Sequence, residues 1–336
     1  MPGLLDMARP AFTEVGTKSA LRQAFWYRRT FTVAGPIPDV AVLKIHKARY
    51  GTKVFLNGKL AGEHLPCFTP ALLDVKPFLK GDGQENEIVI RVGADRSCLP
   101  AGQPSGWDFE KYLFIPGIYD SVELILTGAP YIVNVQAVPD VPGKAVRVVA
   151  EVGGRPDDVA LTVQVAEARG GRIVGQAKTR GRGMVDVTIP IEGCHLWSRT
   201  TRSLRVALKY RSRRRRRPLR HASFTFDPKL GQAILNGKPY LLRDTNVCVY
   251  RFFEDGSRSD KPWRAEWVRP PASAIQDDAH RTFRCAASAS RPSCGTTLPT
   301  RKASLFQDEF PIWTLSEDPE KLQARRIIPE YQEWMR

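Results

Sequence analysis

The stretch VFLNGKLAGEH, Val54 to His64, predicts a β-hairpin whose two strands are joined by Asn57 and Gly58. Asn-Gly is the dipeptide that suits a type I′ turn, because both turn residues need a positive φ. A hairpin of this kind pairs the segments before and after the turn as antiparallel strands.

The sequence around this hairpin is also typical of antiparallel strands. Phe25 to Val33 (FWYRRTFTV) is rich in aromatic and β-branched residues, and Glu87 to Val92 (EIVIRV) alternates apolar and polar positions. Segments such as GDGQEN and IPGIYD supply turn residues between the apolar runs. Short strands with turn signals at this density predict a β-sandwich over residues 1–128.

The next region continues the same alternation. Val159 to Val165 and Val185 to Ile189 each place an apolar residue at every second position, which is the pattern of a half-buried strand. A compact sandwich of about 100 residues has the size of an immunoglobulin-like domain. We predict such a domain over residues 129–226.

The last region, residues 227–336, mixes strand and helix signals. A strand pair around the Asn-Gly dipeptide at 236–237 leads into YLLRDTNVCVY, a candidate buried strand. LFQDEFPIW, which starts at Leu305, is another short apolar run. Asp318 is a candidate N-cap and Pro319 suits the first helical position, so a helix is expected after them.

The formal charge of +16 is concentrated in two short segments. Residues 199–222 hold eleven lysines and arginines and no acid, and residues 269–303 carry a net +4, which leaves +1 for the rest of the chain. A basic surface would indicate nucleic acid or an anionic surface as partner. Because most of the chain is nearly neutral, neither partner is favoured.

Six cysteines are scattered along the chain without a Cys-x-x-Cys pair. Neither a zinc site nor a thioredoxin-like motif is therefore expected, and we predict no metal and no cofactor. The N-terminus has no basic segment followed by an apolar core. No run approaches the ~20 apolar residues of a membrane span, so we expect no membrane partner and favour a cytoplasmic location.

Together these stretches resemble glycoside hydrolase family 2, the family of β-galactosidases, β-glucuronidases and β-mannosidases. Residues 54–92 are similar to the signature of that family's jelly-roll sugar-binding domain, since an Asn-Gly hairpin, Gly-x-His, Thr-Pro, Asp-Val and Asn-Glu follow in this order. IPGIYDSVELILTGAPYIVNV resembles the crossover into an immunoglobulin-like domain, and CHLWS a late element of that domain. AILNGKPYLLRDTNV and LFQDEFPIW look like the first two strands of the family's barrel.

The resemblance implies a mainly β chain: a jelly-roll sandwich over 1–128, an immunoglobulin-like sandwich over 129–226, and the first part of an incomplete (β/α)8 TIM barrel over 227–336. It also implies hydrolysis of β-linked glycosides with retention, which needs two carboxylates about 5–5.5 Å apart. In the family both are glutamates on later barrel strands. The 110 residues after position 226 are fewer than the roughly 250 of a barrel. We therefore expect both glutamates beyond Arg336 and no turnover by this chain.

A β-glycoside is the partner that the resemblance implies, and the sequence is compatible with a homo-oligomer of the intact relative. Two alternatives from other classes stay open. One is a non-catalytic carbohydrate-binding protein that uses the jelly roll. The other is nucleic-acid binding through Arg211 to Arg220, which no interleaved stacking aromatics support.

Residues 199–222 and 269–304 depart from the family pattern, and Asp244 stands where the family has a glycine. The first segment contains five consecutive arginines, Arg213 to Arg217, where sandwich strands are expected. Three interpretations of these arginines are open: a solvated stretch of charge, a nucleic-acid-binding patch, or the product of a GC-rich gene translated out of frame. We favour translation out of frame, because both segments are biased towards Arg, Ala, Pro and Ser and family-like sequence follows each.

Candidate substrate-binding residues lie at two places. In the loop SGWDFEKY, Trp107 would stack on a sugar face and Asp108 would accept hydrogen bonds from hydroxyls. The structural alternative is a packed loop aromatic beside solvated charges. Arg251, with Arg243, flanks the first barrel strand and would reach the substrate region or bridge to a neighbouring strand.

No catalytic residue is predicted within the chain. Asp308 and Glu309 form a tempting carboxylate pair, but adjacent strand residues point to opposite faces and cannot both flank one bond. His64 is expected to be structural, because it lacks partners for catalysis in the sequence.

Overall fold

The computed structural model describes residues 3–4, 23–100, 103, 116–154, 157–168, 170–193, 195–197, 204–210, 213–219, 221–241, 244–248, 264, 283–287, 305–309 and 328–333. Strands dominate these ranges, where helix is confined to residues 328–333 and two 3-10 turns, Lys76–Phe78 and Arg96–Cys98. The prediction of a mainly β chain is confirmed. The chain divides into two compact units, Met1–Thr127 with Asp244–Arg336, and Gly128–Arg243.

The first unit contains a jelly-roll sandwich. Its strands are β1 (Gly3–Leu4), β2 (Ala24–Thr32), β3 (Val40–Ile45), β4 (Ala48–Arg49), β5 (Thr52–Leu56), β6 (Lys59–His64), β7 (Ala71–Asp74), β8 (Glu85–Gly93), β9 (Gly117–Ile118) and β10 (Val122–Thr127). They form sheets of order β2–β8–β5–β6, β10–β3–β7 and β1–β9–β4. The core between the two larger sheets takes Val54 and Ile90 from one and Leu43 and Ala71 from the other.

The predicted hairpin joins β5 and β6 in the antiparallel pair. Asn57 and Gly58 have φ values of 51° and 79°, which is the left-handed conformation that a type I′ turn requires. Along β5, Thr52, Val54 and Leu56 are buried while the two residues between them are half-buried. The period-two alternation therefore faces the core as predicted.

The second unit contains a seven-stranded sandwich within the described residues. Its strands are β11 (Tyr131–Asp140), β12 (Ala145–Gly153), β13 (Val159–Glu167), β14 (Ile173–Gly181), β15 (Gly183–Pro190), β16 (Leu204–Tyr210) and β17 (Arg213–Leu219). The sheets have the orders β11–β12–β15 and β14–β13–β16–β17. Two antiparallel sheets over an aliphatic core that includes Val146, Val163 and Ile189 match the immunoglobulin-like prediction.

The arginine run forms part of this sandwich. β17 carries it as the edge strand of the four-stranded sheet and pairs antiparallel with β16. Leu204 and Leu219 lie opposite each other and are both buried in the core. The backbone of the arginine run forms a regular strand, because strand pairing uses main-chain groups that every residue supplies.

A small antiparallel sheet follows in the same unit, formed by β18 (Phe224–Asp227), β19 (Gln232–Leu235) and β20 (Lys238–Tyr240). Asn236 and Gly237 join β19 to β20 with φ values of 52° and 77°. The Asn236 side chain donates to the Trp197 carbonyl over 2.9 Å. It thereby ties the hairpin to the Leu-Trp element that the sequence singled out.

The remaining strands form a parallel sheet of order β21 (Asp244–Cys248), β22 (Phe283–Ala287) and β23 (Leu305–Glu309). Parallel strands suit the start of a (β/α)8 barrel, and the barrel itself stays a prediction. The assignment of LFQDE as the second strand is corrected, because β22 lies between it and β21. β22 falls inside residues 269–304, the second segment that departs from the family pattern.

No helix among the described residues is long and apolar enough to cross a membrane.

Candidate functional site

The substrate-binding residues predicted from the sequence, Trp107, Asp108 and Arg251, lie outside the described residues, so their roles stay predictions. Asp308 and Glu309 occupy the last two positions of β23, opposite Ala286 and Ala287 of β22. Consecutive strand positions alternate between the two faces of the sheet. This backbone placement agrees with the argument that they do not form a pair.

The Asn-Gly and Asn-Glu elements of the jelly-roll signature meet in a buried network. Asn57 Nδ2 donates to Asn86 Oδ1 over 2.9 Å and to the Phe78 carbonyl over 2.8 Å. Asn86 is fully buried, accepts the Lys80 N–H at 2.8 Å and donates to the Lys80 carbonyl at 2.8 Å. The Glu87 N–H donates to Asn57 Oδ1 over 2.9 Å. The motif is therefore a structural clamp that fastens the hairpin turn to the part-buried backbone of residues 78–87.

The Gly-x-His element has a similar role. His64 Nε2 lies 3.0 Å from the Thr69 carbonyl, and burial lowers its pKa. A neutral ring that donates to this carbonyl holds residues 64–69 in a tight loop. Two residues earlier, a Cβ on Gly62 would lie 2.8 Å from the Leu73 side chain. His64 is thus structural, as expected.

A buried acid from the C-terminal helix lies against the same loop. Glu330 Oε2 accepts a hydrogen bond of 2.6 Å from Gln103 Nε2, and Oε1 accepts one of 3.3 Å from the Phe68 N–H. Burial raises the pKa of Glu330 to about 7, against the lowering effect of the hydrogen bonds that it accepts. The group therefore joins helix 328–333 to the jelly roll within the first unit.

Beside this acid lies a buried cluster of Arg49, Tyr50, Tyr119 and Cys67. The Arg49 guanidinium donates to the Tyr119 hydroxyl and lies 4.8 Å from the centre of that ring and 5.4 Å from the centre of the Tyr50 ring. Such distances allow cation–π attraction. Burial raises the pKa of the Cys67 thiol to about 12, and the nearby Glu330 raises it further while Arg49 lowers it.

These groups are placed for structure rather than for turnover. A carboxyl group with a pKa near 7 suits acid–base catalysis, yet Glu330 is only 4% exposed and its oxygens are occupied by protein donors. The Cys67 thiol stays protonated at neutral pH and is therefore a poor nucleophile. Among the described residues no group of three or more His, Cys, Asp and Glu side chains is placed to hold a metal ion.

The sequence did not reveal this cluster. Arg49 and Glu330 stand 281 positions apart in the numbering, and neither belongs to a periodic pattern or a recognised motif. Arginine and glutamate are rarely buried without a partner. Pro329 beside Glu330 lies in the first turn of helix 328–333, where proline is tolerated, and it gives no indication that the acid is buried.

Comparison with curated proteins identifies β-galactosidases. The chain is 27% identical over 153 residues to the β-galactosidase large subunit of Leuconostoc lactis, which covers 44% of this chain and 23% of that protein. It is 30% identical over 152 residues to a β-galactosidase of Thermoanaerobacter pseudethanolicus, which covers 44% of this chain and 19% of that protein. The matched region thus spans about a fifth of these relatives. No protein-family model matches the chain.

Solved structures share the fold over most of the chain. A β-glucuronidase from Ruminococcus gnavus in complex with D-glucaro-d-lactam has a TM-score of 0.69 at 16% identity, over 93% of this chain and 54% of that one. The β-glucuronidase of Lactobacillus rhamnosus has a TM-score of 0.68 at 18% identity, over 93% and 54%. The chain therefore spans about half the length of these proteins.

The sequence matches and the shared fold agree with the order of motifs found in the sequence. Sandwich strands precede a second sandwich and a parallel sheet, and the jelly-roll signature forms a clamp in the first of them. The chain is therefore similar in sequence to β-galactosidases and in fold to β-glucuronidases, which is consistent with the resemblance to the N-terminal part of glycoside hydrolase family 2.

Proposed function

We propose that this chain forms the N-terminal, non-catalytic part of a retaining hydrolase of β-linked glycosides. The observation that carries the proposal is the similarity of 93% of the chain to the fold of a β-glucuronidase, combined with sequence matches to β-galactosidases. The proposed domains are a jelly roll over 1–128, an immunoglobulin-like sandwich over 129–226 and the beginning of a barrel over 227–336.

In this proposal the chemistry belongs to barrel strands that follow β21, β22 and β23. Catalytic groups of such barrels project from the carboxyl ends of several different strands. Retention needs a nucleophile and an acid/base group about 5–5.5 Å apart. The carboxyl group with the raised pKa near 7, Glu330, is buried against the jelly roll and unavailable to a sugar.

The test is an assay of the purified 336-residue chain with nitrophenyl β-galactoside and nitrophenyl β-glucuronide. The expected result is no release of nitrophenol above the buffer rate. Circular dichroism and a cooperative thermal transition show beforehand that the chain is folded. Turnover by the folded chain would overturn the proposal, since it would require a catalytic pair within these residues.

Carbohydrate binding without turnover is the second candidate function. It is favoured by the β-glucuronidase of Ruminococcus gnavus, which has been solved in complex with D-glucuronic acid. For this chain, Trp107 and Asp108 are the proposed contacts, through stacking and hydrogen bonding respectively. Calorimetry with D-glucuronic acid and D-galactose tests it: binding that is lost in Trp107→Ala supports the candidate, and absence of heat with both sugars rejects it.

A further inference from the structure

Between the two larger sheets of the jelly roll lies a half-open, mostly apolar cavity of about 400 Å³. Ligand pockets have volumes of roughly 300–1,000 Å³ and are mostly apolar. One wall is the inner face of β2, β8 and β5, and the other belongs to β3 and β10. The lining includes Leu43, Val54, Leu56, Ile88, Ile90 and Leu124.

The cavity opens between β2 and β10, each of which is the edge strand of its sheet. On β10, Val122 lines the cavity and is 39% exposed, although its register partner Ile45 on β3 is buried. Leu126, four residues along the same strand face, is 37% exposed. The inner face of this edge strand is therefore only partly covered by the described residues.

Arg29 stands at the opening in a position that a sandwich normally gives to an apolar residue. It alternates with Tyr27 and Phe31, which both pack against the core, and lies opposite Ile88 of β8. Arg29 lines the cavity and is exposed, and it forms no hydrogen bond or ion pair with any residue that the structure describes. Its neighbour Arg28 also lines the rim but pairs with Glu87.

We propose that this cavity, the β2–β10 cleft, binds a medium-chain carboxylate. The alkyl chain would lie between the sheets, where burial of apolar surface is favourable. The carboxylate would accept charge-assisted hydrogen bonds from Arg29 at the opening. A sugar fits this chemistry poorly, because most of the lining is aliphatic and the arginines, which are the charged groups of the lining, both belong to β2. The site is therefore independent of the proposed glycosidase function.

The test is calorimetry of the full 336-residue chain with sodium decanoate below its micelle-forming concentration. We expect binding of one decanoate per chain. Arg29→Gln should weaken that binding about tenfold, because one charge-assisted interaction is lost. Arg28→Gln is the matched control and should change the affinity by less than about twofold, since Glu87 already neutralises this residue.

Two further measurements test the proposal independently of the Arg29→Gln variant. Val122→Trp should block the opening and abolish decanoate binding, with circular dichroism showing an unchanged fold. On the unmodified chain, decyltrimethylammonium, which has the same alkyl chain and the opposite charge, should bind at least about tenfold more weakly. Absence of decanoate binding, or equal binding of the cation, would overturn the proposal.

Discussion

The backbone N–H of Phe68 donates a hydrogen bond of 3.3 Å to the buried carboxylate of Glu330, 262 residues further along the chain. Gln103 donates to the second oxygen of the same group over 2.6 Å. The contact joins the jelly roll to the C-terminal helix inside one compact unit. Because burial raises the pKa of Glu330 from 4.5 to about 7, the contribution of this group to the free energy of unfolding depends on pH.

The sign of that dependence follows from the direction of the shift. The folded state favours the protonated form of Glu330. The stability that this group contributes is therefore fully present below the unfolded pKa of 4.5 and is lost as the pH rises through about 7. At about 1.4 kcal/mol for each unit, the loss amounts to about 3 kcal/mol. Glu330→Gln, which is neutral at every pH but loses one of the two acceptor oxygens, should therefore gain stability relative to the unmodified chain between pH 4.5 and pH 8.

Urea unfolding at pH 4.5 and pH 8 measures this difference. Glu333→Gln is the matched control, because it removes an exposed carboxylate from the same helix. The interpretation fails if both variants show the same change between the two pH values. Hydrogen exchange of residues 328–333 should locate the effect at the helix.

Asn86→Ala should destabilise the jelly roll by about 3 kcal/mol, since the Lys80 N–H and carbonyl and the Asn57 amide would lose buried partners. Gln84→Ala, an exposed change two residues earlier, should cost less than about 0.5 kcal/mol. Thermal and urea unfolding of both variants provide the measurement. Equal stabilities would show that the Asn57–Asn86 network contributes little.

Gly93 and Gly62 offer a matched pair of glycines in the jelly-roll sheets. A Cβ at Gly93 would lie 2.3 Å from the Tyr50 carbonyl oxygen, whereas a Cβ at Gly62 would meet the flexible end of Leu73 at 2.8 Å. Backbone moves less easily than a leucine side chain. Gly93→Ala should therefore lower the free energy of unfolding by about 2 kcal/mol or more, and Gly62→Ala by about 1 kcal/mol. The reverse order of unfolding midpoints would contradict this.

A substitution at Arg217 tests how much the arginine run lowers the stability of the sandwich. It pairs with Val206, which is fully buried in the sandwich core, so position 217 lies on the core-facing side of β17. Arg217→Val should raise the free energy of unfolding by about 1–2 kcal/mol, the gain expected from an aliphatic residue on that face. Arg214→Val, at a position on the other face, is the control and should change little.

The hypothesis that residues 199–222 and 269–304 are translated out of frame is tested by the coding DNA. Translation in the three frames should give an alternating apolar strand for the first segment and a strand bearing Asn, Arg and His for the second. If no other frame provides them, the basic segments are genuine, and salt-dependent binding to nucleic acid becomes the next measurement.

The sequence by itself determined the local elements of this protein. Period-two alternation predicted β5 and β13, and Asn-Gly dipeptides predicted two hairpins, because these signals act between residues close in the chain. The order of the motifs also predicted the succession of two sandwiches and a parallel sheet. Side-chain patterns gave no indication of β17 or β22, because strands pair through main-chain hydrogen bonds that those patterns do not specify.

The tertiary structure alone decided which distant residues meet. Asn57 and Asn86 were visible as motif residues, but only the fold showed that they clamp one another. Glu330, Phe68 and Gln103 carried no signal at all, and neither did the exposed inward position of Arg29. Burial and pKa depend on what packs around a group in three dimensions, and sequence spacing does not contain that information.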